Sequence, residues 1–373
     1  MSREWTTPAG LLVLDEEQEQ FREMARQVVD KEAPLSRFRQ LRDSGGTHDA
    51  PLWHTLSGLG WPAVMFAECA GGLGLSLVEG VQLAEALGRN LAATPLLSTL
   101  MSGALDTGAG IQSGRVVALA WQEEVRRRDP AAVSTRVEGG KLVGCKVAVL
   151  DAGAAQAFIV SAMVDGELRL FRVEAVDAVV QPLLRLDSRD AGNVRFEGAP
   201  ATRLPGGLPE LARALDIGTI ALSAEMLGGA ASVLERTLAW LHERQQFDVP
   251  LGSFQVLQHR SVDLFIGLEL GRSAVMAAAH AAHAAAAVRG GPLAATPGAD
   301  EHDPSVAALA SLAKAKMSDT FLSVAREAIQ MHGGIGMTDE CDIGFFLKRA
   351  AVAAETLGNA AWHRGRWAKL QGY

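Results

Sequence analysis

Apolar residues in Asp15–Ala33 recur at Phe21, Met24, Ala25, Val28 and Val29, the spacing of a helix with one buried face. Asp15 can cap it, with Gln18 placed to reach back to the cap. Gly71-Gly72-Leu73-Gly74 then interrupts the pattern. It follows no strand, so it reads as a tight turn and not a phosphate loop. Ser76-Leu77-Val78-Glu79 is a second capping box, opening a helix that stops near Gly88. The period changes after about residue 112. Val116–Trp121, Ala132–Val137, Leu142–Leu150, Ala157–Ala162 and Leu168–Val173 are short β-rich runs parted by turn signals at Gly139-Gly140 and Asp165-Gly166. Antiparallel strands this close together, with no helix between, predict a small barrel or sandwich and not a Rossmann unit. Pro200 and Pro205-Gly206-Gly207 mark a linker. From Pro209 the chain returns to long Ala- and Leu-rich helices. Breaks at Asp248–Gly252, Gly290–Pro304 and Gly333–Thr338 divide it into four, a bundle, with Gly290–Pro304 as a mobile surface loop.

The pattern thus predicts an α+β chain in three parts: an all-α region over 1–112, a β-barrel over 113–205 and a four-helix bundle over 206–373. With 373 residues there is ample chain for a large core. Hydrophobic residues at 48 % and charged residues at 21 % are ordinary for a globular protein. A net charge of −8 with no basic stripe speaks against nucleic acid, and Arg126-Arg127-Arg128 reads as a solvated turn. Cys69, Cys145 and Cys341 are too far apart for a disulfide framework or a metal knuckle, and fit free thiols in a reducing compartment. The N-terminus carries Glu4, Asp15, Glu16 and Glu17 and no apolar leader. The longest apolar run, Val275–Val288, is broken by His280 and His283 and too short to span a bilayer. The expectation is a cytoplasmic protein with no membrane partner. The two histidines lack a carboxylate and a third ligand, so no metal is expected.

Two motifs carry the chemistry. One is Arg244-Gln-Gln-Phe-Asp-Val-Pro-Leu-Gly-Ser-Phe-Gln-Val-Leu-Gln-His259; the other is Gln330-Met-His-Gly-Gly-Ile-Gly-Met-Thr-Asp-Glu340. A guanidinium matches phosphate geometry. Paired glycines allow positive φ and bring N–H groups up to an anion. Phe247 offers an apolar wall, and Gln255 and Gln330 offer amide pairing. Taken singly, Arg244 would be a surface residue, Phe247 packing and Gly333-Gly334 a helix stop. Together the motifs resemble the acyl-CoA dehydrogenase signature R-x-x-F-G-x-P-(I/L)…F-Q-x-x-Q-H and its C-terminal companion, and the helix–barrel–bundle order resembles that family too. Asp248 stands where the family has Gly, a left-handed position that Asp tolerates in closing a helix.

The resemblance implies FAD, an acyl-CoA substrate and an electron-transfer flavoprotein as acceptor. It implies that Arg244, Phe247, Gln255, Gln330, Gly333 and Gly334 grip the adenine and pyrophosphate half of an FAD bound mainly by a neighbouring subunit. The family needs a carboxylate with a raised pKa to take the α-proton. Its usual position falls on Leu357, the alternative on Gly218, and an Arg that meets CoA corresponds to Thr219. Glu355, Glu225 and Glu123 are the candidates for a moved base, though each reads more simply as a surface or structural carboxylate. The flavin-contacting stretches correspond to Glu123–Asp129 and Lys146–Val149, without the usual Gly-Ser, hydroxyl or indole. With Met337-Thr-Asp-Glu340, Phe346-Leu-Lys-Arg-Ala350 and Leu357-Gly-Asn-Ala-Ala-Trp-His363, the chain resembles the small subunits of bacterial heteromeric acyl-CoA dehydrogenases of the pimeloyl-CoA and steroid-side-chain kinds. A homologous subunit in a heterotetramer, or a homo-oligomer, is the implied partner. A self-sufficient dehydrogenase, a flavin monooxygenase or nitroalkane-type oxidase of the same fold, and a non-enzymatic scaffold subunit remain as alternatives.

Overall fold

The computed structural model describes residues 13–125, 128–288 and 304–373. Glu4, Arg126, Arg127 and the expected Gly290–Pro304 loop, Pro304 apart, lie outside them. The chain opens with five α-helices: α1 (Glu16–Glu32), α2 (Leu35–Asp43), α3 (Ala50–Gly58), α4 (Leu77–Arg89) and α5 (Leu96–Gly103). Both capping boxes form. Asp15 accepts from the Gln18 N–H at 2.8 Å, and the Glu79 carboxylate accepts from the Ser76 N–H at 2.8 Å. α4 stops at Arg89, beside Gly88 as expected, and Gly88 itself lies inside the helix. A Cβ there would fall 2.0 Å from the Glu225 carbonyl, and one at Gly228 would fall 1.9 Å from that of Glu85. These two glycines let α4 cross a bundle helix backbone to backbone, so close approach explains Gly88 better than a helix stop does.

Eight strands follow: β1 (Val117–Ala120), β2 (Arg136–Glu138), β3 (Lys141–Leu150), β4 (Ala157–Val164), β5 (Glu167–Glu174), β6 (Val179–Pro182), β7 (Ala191–Pro200) and β8 (Thr202–Leu204). They join in one sheet of order β6-β7-β3-β2-β4-β5-β8, with β1 against β4. The Gly139-Gly140 and Asp165-Gly166 turns have positive φ at both residues, as two-residue hairpins between right-twisted strands require. The sheet is mixed and not wholly antiparallel, because β1 and the end of β2 run parallel to β4. Alternation in β1 and β4 serves two cores. Ala118, Ala120, Phe158 and Val160 face a core packed from the sheet's own strands, around which it curls. Val117, Leu119, Ala157 and Ile159 join the core shared with the helices.

The bundle holds α6 (Leu208–Glu243), α7 (Gln255–Val288), α8 (Pro304–His332), α9 (Ile343–Glu355) and α10 (Ala360–Leu370). Where the sequence predicts four helices the last is divided in two. Leu357 and Gly358 take φ of 55° and 112°, and Asn359 caps α10 by accepting from the Trp362 N–H at 3.0 Å. Among the described residues α6 alone is long and apolar enough to cross a membrane, and 94 % of its most apolar stretch is buried inside the protein. The three cysteines are unpaired.

Candidate functional site

The two motifs meet on an outward face. α6 ends at Glu243, and the Arg244 N–H donates to the Trp240 carbonyl at 2.8 Å. Gln245–Gln246 and Val249–Pro250 then pair as a small hairpin. Its tip, Phe247 and Asp248, has φ of 56° and 62°. Asp248 is left-handed as expected, but it turns a hairpin and does not close a helix; α6 has already ended. A bulky residue at positive φ is strained, and Phe247 is also 86 % exposed, with one aromatic neighbour in Phe254 at 6.2 Å. Gln255 opens α7 and is exposed. At the other motif α8 stops at His332, Gln330 is exposed, and Gly333 has φ of 67°. A Cβ on Gly333 or Gly334 would meet nothing within 4 Å, so both backbones look onto open space. Trp240 links the motifs: its ring stacks on His332 at 5.2 Å and lies 5.9 Å from the Arg244 guanidinium. Beside them Val256, Val262, Phe265, Ile266 and Leu270 of α7 are each more than half exposed, and Met337 is 79 % exposed. Large apolar residues gathered this way mark a surface built to be covered.

A cavity of about 540 Å³ lies on the inner side, between the sheet and the bundle. Trp121, Arg128 and Pro130 line it from the sheet side, Leu215, Asp216 and Thr219 from α6, and Trp362 and Arg366 from α10. Leu357, from the bend between α9 and α10, is part of its wall. Gly218 offers no room for a side chain: a Cβ there would sit 2.3 Å from the Met101 sulfur. The Thr219 hydroxyl donates to the Leu215 carbonyl at 2.7 Å. Asp216 accepts two hydrogen bonds from Arg366, at 2.6 and 3.1 Å.

Each candidate carboxylate is engaged. Glu225 is largely buried where three parts of the chain join. It accepts from Arg189 at 2.7 Å and from Arg349 at 2.9 Å, and Arg349 also reaches Asp187 at 2.6 Å. Burial pushes this carboxyl up, but Arg349 and Arg189 outweigh it and hold it below the usual carboxylate range. Glu123 accepts from the Ser134 and Thr135 N–H groups at 2.7 and 2.9 Å and from the Lys146 ammonium at 2.8 Å. Burial raises it, but these donors bring it down to about 2. Lys146, completely buried and also bonded to Ser161 at 3.1 Å, moves the unfavourable way, to about 8. Burial dominates for the more enclosed partner, so the pair is held together more than it stabilises. Glu355 is largely exposed and meets Arg128 at 3.1 Å, which also donates to the Glu355 carbonyl. Arg128 is therefore a bridge in the cavity wall and not part of a solvated turn.

The stretches expected to meet a flavin ring are spent on the protein itself. Glu123 folds back onto Ser134 and Thr135, just before β2, and Lys146 is buried against Trp121, Glu123 and Ser161. A register shift between Lys146 and Val149 leaves Ala148 at φ 51°, its N–H donating to the Asn193 side chain at 3.1 Å. Sequence reasoning missed Lys146, Asp187, Arg189, Arg349 and the Asp216–Arg366 pair. Arg349 did carry a signal, as the second of two adjacent cations, Lys348-Arg349, before the apolar run Ala350–Ala354. Among the described residues no three of His, Cys, Asp and Glu gather closely enough to hold a metal ion.

Comparison with known proteins agrees with the motifs. The pattern described as acyl-CoA dehydrogenase, N-terminal domain, matches residues 15–135, and that of the C-terminal domain matches 206–370. Acyl-CoA dehydrogenase IpdE2 of Mycolicibacterium smegmatis is 30 % identical over 346 residues, covering 92 % of this chain and 96 % of that one. Among solved structures, a variant of the Tcur3481-Tcur3483 steroid ACAD superposes with a TM-score of 0.81 at 28 % identity, covering 95 % of this chain and 98 % of that one. The ChsE4-ChsE5 complex from Mycobacterium tuberculosis gives a TM-score of 0.84 at 24 % identity, over 97 % and 99 % of the chains, and shares the fold. A glutaryl-CoA dehydrogenase from Mycobacterium smegmatis in complex with FADH2 shares the fold as well, with a TM-score of 0.82 at 19 % identity over 96 % and 95 % of the chains.

Proposed function

Since the chain belongs to the acyl-CoA dehydrogenase family, we propose that it is the subunit of a heteromeric, FAD-dependent enzyme that lends half of a cofactor site to a homologous catalytic partner. Arg244 would pair with the pyrophosphate, and the open backbone at Gly333-Gly334 would bring N–H groups up to it. Phe247, Gln255 and Gln330 would flank the adenine. The outward face fits this part of FAD: it is exposed, cationic and glycine-open, and its strained aromatic tip has little cover of its own. The exposed apolar row of α7 would pack against the same partner.

The observation that carries the reading is Leu357, an apolar side chain in the cavity wall where the family needs a carboxylate. Glu225 and Glu123 are held low by cations and are poor bases for a weakly acidic carbon, and Glu355 is largely exposed and paired with Arg128. Bound FAD would supply a hydride acceptor for conversion of the acyl-CoA to its 2,3-enoyl form, and the partner would supply the base. An electron-transfer flavoprotein then takes the electrons, in the cytoplasm. The steroid ACAD variant, similar over nearly the whole chain, favours an acyl-CoA of steroid origin as substrate.

The test is the visible spectrum and oligomer mass of the chain purified alone, then co-expressed with a homologous subunit. The reading expects a colourless chain alone and a yellow complex that an acyl-CoA bleaches. A chain that is yellow alone and bleached by an acyl-CoA would sink it, and Glu355, Glu225 and Glu123 should then be substituted in turn.

A further inference from the structure

Under the cavity wall lies a buried amine with no part in the proposal above. Lys314, in the middle of α8, is completely buried. Its Nζ donates to the Ala354 carbonyl at 3.1 Å, the Gly358 carbonyl at 2.8 Å and the Ser318 hydroxyl at 3.0 Å. An ammonium has three N–H bonds, and here each has an acceptor. Two of the acceptors flank the bend. Ala354 belongs to the last turn of α9, whose carbonyls lack helical partners and attract a cation. Gly358 follows the bend directly.

The bend needs holding. Leu357 is a non-glycine residue at φ 55°. Gly358, at φ 112°, admits nothing larger, since a Cβ would lie 2.7 Å from both His363 Nε2 and the Trp362 ring. The Leu357 carbonyl itself accepts from His363 Nε2 at 3.1 Å. His363 is also completely buried, and its ring meets the edge of Trp362, a cavity-lining residue, at 4.7 Å. Three carbonyls around one bend therefore converge on two buried side chains.

We propose that Lys314 is a positioning residue: its ammonium ties the end of α9 to the start of α10 and so seats Leu357 in the cavity wall, with His363 as the second clasp. This goes beyond the subunit reading and stands whether or not the chain has a catalytic partner. It also makes the wall sensitive to pH. Burial pushes Lys314 down to about 7, with Glu355 opposing and Arg128 and Arg349 assisting. From α10, His363 and Arg366 face it, and Asp216 of α6 stands behind them. α7 meets α8 through Gly271 and Gly267, against Met317 and Thr320. Burial and the nearby Lys314 lower His363 to about 3, so the imidazole stays neutral and keeps its Nε2 proton on the Leu357 carbonyl. A neutral amine at 314 has two N–H bonds for three acceptors, and the tie slackens as pH rises through about 7.

The test is backbone hydrogen exchange over residues 352–362 of the full chain, in its complex if it requires one, corrected for the intrinsic effect of pH. Protection should fall about tenfold between about pH 6 and pH 8.5, the worth of a hydrogen bond to a charged group. A peptide within α7 should not follow it. Lys314→Met should exchange fast at both ends of the range, with no pH step. Wild-type protection that stays flat overturns the proposal, as does a folded Lys314→Met that protects the bend as the wild type does. Should that variant fail to fold, the wild-type profile alone decides.

Discussion

The outward face of the bundle and the inner cavity differ in how their polar groups are spent. Outside, Arg244, Gln255 and Gln330 are exposed, Gly333-Gly334 face open space, and the Phe247-Asp248 tip holds a strained backbone with an aromatic ring in water. In the cavity wall Asp216 is closed by Arg366 and the base position is Leu357, and elsewhere in the interior Glu123 is closed by Lys146 and Glu225 by Arg189 and Arg349. Polar groups satisfied within the chain hold the fold; groups left waiting, in a strained setting, are there for something else. On the proposed reading, one fold keeps one half of a shared site while the other half becomes scaffold.

The inner network is the strongest claim in that contrast and should show the largest effect. Glu225→Leu leaves Arg189 and Arg349 buried without their shared carboxylate. The expected loss is about 3–5 kcal/mol, with a lower melting temperature by calorimetry. A neutral result would mean that Glu225 is not structural and would return it to the list of possible bases. Arg244→Ala should do the reverse. It should leave the melting temperature of the chain alone unchanged, while the assembled complex loses flavin, its affinity weakened on the order of tenfold to a hundredfold by the missing charge-assisted bonds. Flavin retained on a desalting column at wild-type stoichiometry would break the comparison on its outer side.

A smaller effect belongs to Glu123. Its folded pKa of about 2 lies below the unfolded value near 4.5, so the unfolded chain binds the extra proton in between. Its contribution is present above about pH 4.5 and is lost as pH falls toward about 2. Glu123→Gln should flatten the acid limb of stability against pH over that window, by about 1 kcal/mol or somewhat more. An unchanged acid limb would say that the Lys146 pair does not close the inner site.

The outer half was far more legible in the sequence than the inner. Arg244 and Gly333-Gly334 lie in two contiguous motifs whose residue types suggest their chemistry, although the hairpin that carries Phe247 and Asp248 reads in sequence as a helix end. The capping boxes at Asp15 and Ser76 and the two-residue turns at Gly139-Gly140 and Asp165-Gly166 are equally local, and each formed where its residues stand. The inner site is assembled from distant positions. Nothing near Glu225 in sequence indicates that Arg189 and Arg349 will surround it, and nothing separates Lys314, completely buried, from Lys316 two residues later. The parallel pairing of β1 with β4 is equally non-local. The bend at Leu357 did have a local sign in Gly358-Asn359, a left-handed glycine followed by a helix cap. The helical pattern on either side of it concealed the break.

The smallest expected effect is the sharpest test of the proposal that the inner half is silent. Leu357→Glu puts a carboxylate back into the cavity wall at the bend. Were the missing base the only loss, this single change would restore dehydrogenation in the chain by itself. Two observations argue that it will not. Arg128 and Arg366 line the same cavity and would hold a new carboxylate ionised and low in pKa, the opposite of what abstraction of an α-proton requires. The stretches that should meet the flavin ring would still be folded back through Glu123 and Lys146. The variant should therefore stay colourless when purified alone and leave an acyl-CoA unchanged. Bleaching of a bound flavin by acyl-CoA in Leu357→Glu would instead mean that the inner half is intact apart from one side chain, and that this chain stands one substitution from a working enzyme.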